Sequence, residues 1–131
     1  MAGTLTVSYQ QVRTIQKITL DWLSDATGVV SGTATKRLTG SLLRVVFIPD
    51  SGGTQPSDLY DVVLNDDNGL NVLAGQGANL SNATASNVVP GVPLKDGTTT
   101  SISVCILDDT LTLGITNAGA AKGGNVVLYL G

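Results

Sequence analysis

The run Leu42-Leu43-Arg44-Val45-Val46-Phe47-Ile48-Pro49 decides the fold class. Val45, Val46, Phe47 and Ile48 are β-branched or aromatic and suit a pleated, half-buried surface, and Pro49 ends the run by withdrawing a ladder donor. The signature repeats on either side. Leu5, Val7 and Tyr9 alternate with polar residues, and Ile18, Leu20 and Trp22 do the same within Ile15–Leu23, which puts Trp22 on the core face. Ser24–Gly28 is a turn, after which Val29–Val30 opens a strand running into Gly32–Thr35. Tyr60–Leu64 is another strand, closed by the turn sequence Asn65-Asp66-Asp67-Asn68-Gly69, and Leu70–Leu73 is expected to return as its hairpin partner. Ser101–Leu107, Leu111–Thr116 and Asn125–Leu130 complete the set, joined by Asp108-Asp109 and by the Gly/Ala-rich Asn117–Gly124.

Between these lie less regular stretches. Asp50–Pro56 is a loop by composition, and Ala74–Asn87, small residues without a period, is a long surface loop with room for one helical turn. Val88–Val92, with Pro90 and Pro93 nearby, is irregular or an edge. Roughly eight strands with frequent turn signals and little or no helix predict an all-β, single-domain β-sandwich or barrel-like fold. At 131 residues, 1–131 is one domain. Asp25-Ala26-Thr27-Gly28-Val29 is echoed by Asp66-Asp67-Asn68-Gly69-Leu70, which reads as shared turn chemistry rather than a duplication.

Composition removes most catalytic chemistry. The chain has no histidine, its ten acidic residues are all aspartate, and Cys105 is its single cysteine. Ser-His-Asp and Cys-His pairs are therefore impossible, zinc lacks its usual ligands, and no phosphate-cradling loop has the required spacing around Lys122. An enzyme is not expected, and neither is a cofactor. Asp58, Asp61, Asp66 and Asp67, with Asn65 and Asn68, offer calcium-type oxygens, but their spacing departs from an EF-hand and reads as a solvated Asx turn, as does Asp108-Asp109. A pair of carboxylates for sugar chemistry is open on sequence grounds, yet aromatics are only 4% of the chain, few for a sugar platform. A carbohydrate-binding or adhesin-like module would need exposed rings, whereas Tyr9, Trp22, Tyr60 and Tyr129 all sit in strand patterns that favour burial.

A net charge of −3 with scattered basic residues argues against nucleic acid as a partner, and no apolar run has the length of a membrane span. The N-terminus lacks a signal-peptide pattern and the lone Cys105 reads as a buried thiol, so a reducing, cytosol-like compartment is expected. Accordingly Asn79-Leu80-Ser81 and Asn82-Ala83-Thr84, which match the glycosylation pattern, are expected to stay unmodified. Lys36–Arg37 is the only adjacent basic pair and reads as an edge-strand guard. Charged residues are 13% of the chain, about half the usual share, which points to a surface partly covered in an oligomer or assembly.

Several segments taken in order carry a likeness: Ile18–Gly28 followed by Val30-Ser31-Gly32-Thr33, then Leu43–Pro49, Tyr60–Leu64, Val72–Ser81, Leu111-Thr112-Leu113 through Asn117-Ala118-Gly119, and Val126–Leu130. Together these resemble small β-rich virion structural proteins of tailed bacteriophages. The resemblance covers most of the chain, and its motifs are structural, so it carries no active-site residues across. It implies a capsid decoration or minor capsid subunit that is made in the host cytoplasm, resides in the virion and binds the major capsid protein or another virion protein. The expected state is a homotrimer or other symmetric homo-oligomer. A tail, neck or head–tail adaptor component is the alternative within the same particle. Residues 1–11 read equally as an N-terminal arm that adds a strand to a neighbour and as the domain's own first strand. The candidate interface residues are therefore Leu5, Val7 and Tyr9 there, with Gly77, Asn79 and Leu80 in the long loop.

Overall fold

The computed structural model describes residues 3–93 and 102–131, which leaves Met1 and Ala2 of the expected arm and Ser101 of the expected late strand outside the described residues. Among them are ten strands: β1 (Thr4–Val12), β2 (Ile15–Leu23), β3 (Val30–Ala34), β4 (Leu38–Pro49), β5 (Asp61–Asn65), β6 (Ser86–Val88), β7 (Gly91–Pro93), β8 (Ile102–Asp109), β9 (Thr112–Thr116) and β10 (Gly123–Leu130). The one helical element is a 3₁₀ turn at Gly52–Thr54. A seven-stranded sheet runs β1-β2-β10-β4-β8-β7, with β6 also on β4, and faces a three-stranded sheet β3-β9-β5. All pairings are antiparallel. Both sheets are open, so the fold is sandwich-like rather than a closed barrel.

Period-two burial builds the shared core. Ile18, Leu20 and Trp22 of β2 lie beside Leu128, Val126 and Gly124 of β10, and Val45 and Phe47 of β4 continue the same layer. The small sheet closes over them with Val30, Val62, Leu64, Leu113 and Ile115, all buried. Trp22 meets Tyr60 across the layers, ring centroids 5.7 Å apart and tilted by 43°. Trp22 Nε1 is buried and has no hydrogen-bond partner among the described residues. Gly124 is required beneath that indole: a Cβ there would stand 2.8 Å from the Ile48 carbonyl oxygen and 3.0 Å from Trp22 Cζ2.

The deciding run becomes β4, twelve residues long, with a bulge. Tyr129 pairs with Arg44 and Leu130 with Leu42, so Leu43 is the extra residue. That insertion shifts the alternation by one: Leu42 and Val45 both face the core, while Leu43 and Arg44 both face out. On its far side β4 is long enough to hold β8 along Leu38–Leu42 and β6 along Val45–Phe47.

The echoed turns prove to be one structure used twice. Asp25 Oδ1 accepts the N–H groups of Thr27 and Val29, and Asp66 Oδ1 accepts those of Asn68 and Leu70. In each, the Asp N–H donates to the carbonyl four residues on, and the glycine N–H donates back to the Asp carbonyl. Gly28 and Gly69 take φ of +82° and +79°.

Two expectations are corrected and one is sharpened. Leu70–Leu73 is not a returning strand: only Asn71 bridges to Asn65, because the Asn71 side-chain oxygen takes the N–H groups of Leu64 and Leu73 in place of a ladder. The 74–87 segment is mostly the exposed loop expected, but its middle docks on the open edge of β5. Val62 N–H donates to the Gly77 carbonyl, and Leu80 pairs with Tyr60. Its end enters β6, and the Val88–Val92 stretch is divided between β6 and β7 around Val89 and Pro90. Burial of all the aromatics also fails, Tyr9 being 40% exposed and Tyr129 half-buried. Tyr9 lies beyond Val7 along β1, past the part of that strand that packs against the core.

Candidate interface: the open edge of the large sheet

β1 and β2 form a hairpin in unbroken register from Thr4↔Leu23 to Val12↔Ile15. Its two-residue loop is Arg13-Thr14, and Arg13 takes φ of 57°, the left-handed region a hairpin loop of this length needs at its first position. Val12 and Ile15 close the loop as a hydrogen-bonded pair, and the ladder alternates from there. Thr4, Thr6, Ser8, Gln10 and Val12 therefore turn their backbone toward β2, whereas Leu5, Val7, Tyr9 and Gln11 present N–H and C=O to the open side. None of the hydrogen bonds found among the described residues uses those outward groups. The edge is nine residues long and has neither proline nor charge, two of the devices that protect such an edge.

Each face of the hairpin is distinct. On the inner face Leu5 and Val7 are half-buried and packed against the core. Tyr9, one step further, is covered by Lys36 instead: Lys36 Nζ lies 4.2 Å from the ring centroid, and its backbone N–H donates to the Tyr9 hydroxyl at 2.8 Å. A recess of about 190 Å³ opens there, lined by Tyr9, Gln10, Gln11, Gln16, Ile18 and Lys36. On the outer face a second recess of about 280 Å³ is lined by Gln10, Val12, Ile15, Lys17 and Tyr129. Val12, Ile15 and Leu43 are exposed there, and the side chains of Ile15 and Leu43 converge on Gly131. Sequence reasoning missed this patch, although Val12 and Ile15 stand on the wrong parity for the core and so carried a signal.

The remaining candidate residues lie elsewhere. Gly77 has no room for a Cβ beside the Val62 carbonyl, Leu80 is buried, and exposed Asn79 donates its N–H to Asp61 Oδ1. They sit against β5, at the opposite edge of the small sheet from β3, whereas β1 lies next to β3. The structure thus does not bring the two groups of candidate residues together.

The aspartates are engaged in holding loops. Asp58 accepts the Asn82 N–H, Asp61 also accepts from the Asn117 amide, and Asp67 accepts the Thr110 hydroxyl, which holds its carboxyl below the usual carboxylate range. Asp108 pairs with Arg37 at 2.9 Å, which lowers its pKa as well. No cluster of three or more metal-ligating side chains occurs among the described residues. Burial, with the charges of Asp66 and Asp109, pushes the Cys105 thiol up, away from nucleophilic character. What the β1 edge can do chemically is add a strand. No family model, curated protein or solved structure matches the chain.

Proposed function

We propose that this chain is a non-catalytic structural subunit of a bacteriophage virion, a capsid decoration or minor capsid protein that works by assembling with other chains. The observation that carries the assembling role is β1: nine uncharged residues with four residues' worth of outward backbone groups, on a fold whose loops are tied down by their own aspartates. A chain with so sparse a charge, and with apolar Val12, Ile15 and Leu43 on one outer face, is suited to being covered. The likeness of its segments to virion proteins of tailed phages supports the particle as the place and the major capsid protein as a partner.

The test is co-sedimentation of the purified protein with matched capsids that lack it. Saturable binding, with raised thermal stability of the heads, is expected. A protein that leaves capsids untouched but forms rings or binds tail structures would move it to the neck or tail. A protein that binds neither would remove it from the virion.

A further inference from the structure

We propose that two copies of this chain join through β1, antiparallel about a two-fold axis at Ser8, so that their large sheets become one continuous sheet. This deepens the assembling role proposed above. The register follows from using the whole strand: Thr4 faces the partner's Val12, Leu5 faces Gln11, Thr6 faces Gln10, Val7 faces Tyr9, and Ser8 faces Ser8. All four outward residues then meet outward residues, giving about eight backbone hydrogen bonds, two for each pair. Leu5 and Val7, half-buried in one copy, continue the inner layer into the next.

Charge complementarity selects a second copy and this orientation. Along the hairpin the basic residues Arg13 and Lys17 lie at the loop end, and Asp21 and Asp25 lie at the other end. Lys17 pairs with Gln10 and Asp21 pairs with Thr6 on the exposed outer face. Placing Gln10 against the partner's Thr6 therefore makes a row that starts at Lys17 and ends at the partner's Asp21, and the symmetry makes it twice. A parallel pairing of the same two edges would turn the second copy over and bring the basic ends of both hairpins to one end of the joint sheet. An edge accepts one strand, so the pairing closes as a two-fold dimer, which among the expected homotrimer or other symmetric homo-oligomer is the latter.

Three variants test this, measured without capsids. Wild type should scatter light as twice 13.4 kDa, or as an even multiple of the chain. Ser8→Lys, which sets two ammonium groups at the axis but leaves the exposed side of one copy intact, should halve that mass while the chain stays folded, with a thermal midpoint that no longer rises with protein concentration as that of wild type should. Ser8→Cys should form an intermolecular disulfide with oxidised glutathione, because residues at a non-hydrogen-bonded antiparallel pair lie at disulfide distance. Thr6→Cys, displaced from its own copy in this register, should not. A monomeric wild type, an odd oligomer indifferent to Ser8→Lys, or equal cross-linking of the two cysteine variants would overturn the pairing. None of these results bears on capsid binding, whose failure would overturn the virion assignment alone.

Discussion

Two glycines in identical turns separate backbone conformation from packing. Gly28 and Gly69 share a left-handed φ and the same Asp-anchored hydrogen bonds. A Cβ at Gly69 would meet nothing within 4 Å, whereas at Gly28 it would stand 2.7 Å from the backbone nitrogen of Gly119. Gly69→Ala should therefore cost only the conformational term, about 1 kcal/mol. Gly28→Ala should cost clearly more, since the 117–122 turn must move. Urea unfolding of the two variants checks this, and equal midpoints would contradict it. Trp22→Ala should cost about 3–5 kcal/mol by the same measurement, because it empties the contact with Tyr60 at the centre of the core.

At the level of elements, what the sequence disclosed depended on which atoms make the contact. β2 was legible because side chains alternate in and out with period two, as Ile18, Leu20 and Trp22 do. The bulge at Leu43 was not, because an inserted residue changes parity without changing composition. Docking of the 77–80 segment on β5 was hidden for another reason: it is made by backbone atoms, the Val62 N–H and the Gly77 carbonyl. Gly77 was picked out as a candidate interface residue, and its role is close approach of two segments of this chain. Gly77→Ala should detach this segment, and amide exchange at Val62 and Leu80 should accelerate while the strands of the large sheet keep their protection. Unchanged exchange at Val62 would contradict the docking.

Across the whole molecule, pH dependence should have two steep ends and a flat middle. The Thr27 hydroxyl and nearby backbone N–H groups hold Asp25 below its ordinary 3.8; the Thr110 hydroxyl does so for Asp67 and Arg37 for Asp108. Carboxylates depressed in the folded state stabilise it fully above that unfolded value, and the contribution is lost as pH falls through the folded pKa. Tyr60 is pushed up to about 12 by burial and then by Asp50, so the fold favours its neutral phenol. That stability is present below 10.0 and lost as pH rises toward 12. With no histidine, the side chain that ordinarily titrates near neutrality is missing. The thermal midpoint should stay level from about pH 5 to pH 8 and fall below about pH 4 and above about pH 10. A calorimetric midpoint that slides through neutrality would contradict this.

The candidate interface was half legible at the same scale. Leu5, Val7 and Tyr9 marked a strand near the N-terminus, but only the sheet order reveals that the strand has an open side, and only the packing that Tyr9 lies past the part of it that meets the core. Lys36 over Tyr9 joins residues 27 positions apart and left no local trace.

Assembly through β1 is tested most directly by residue-resolved amide exchange across a range of protein concentrations. The outward N–H groups of Leu5, Val7, Tyr9 and Gln11 should be fast in dilute protein and protected in concentrated protein, while those of Thr6, Ser8 and Gln10 stay protected throughout. Outward amides that exchange freely at every concentration, and remain free when capsids are added, would contradict the account.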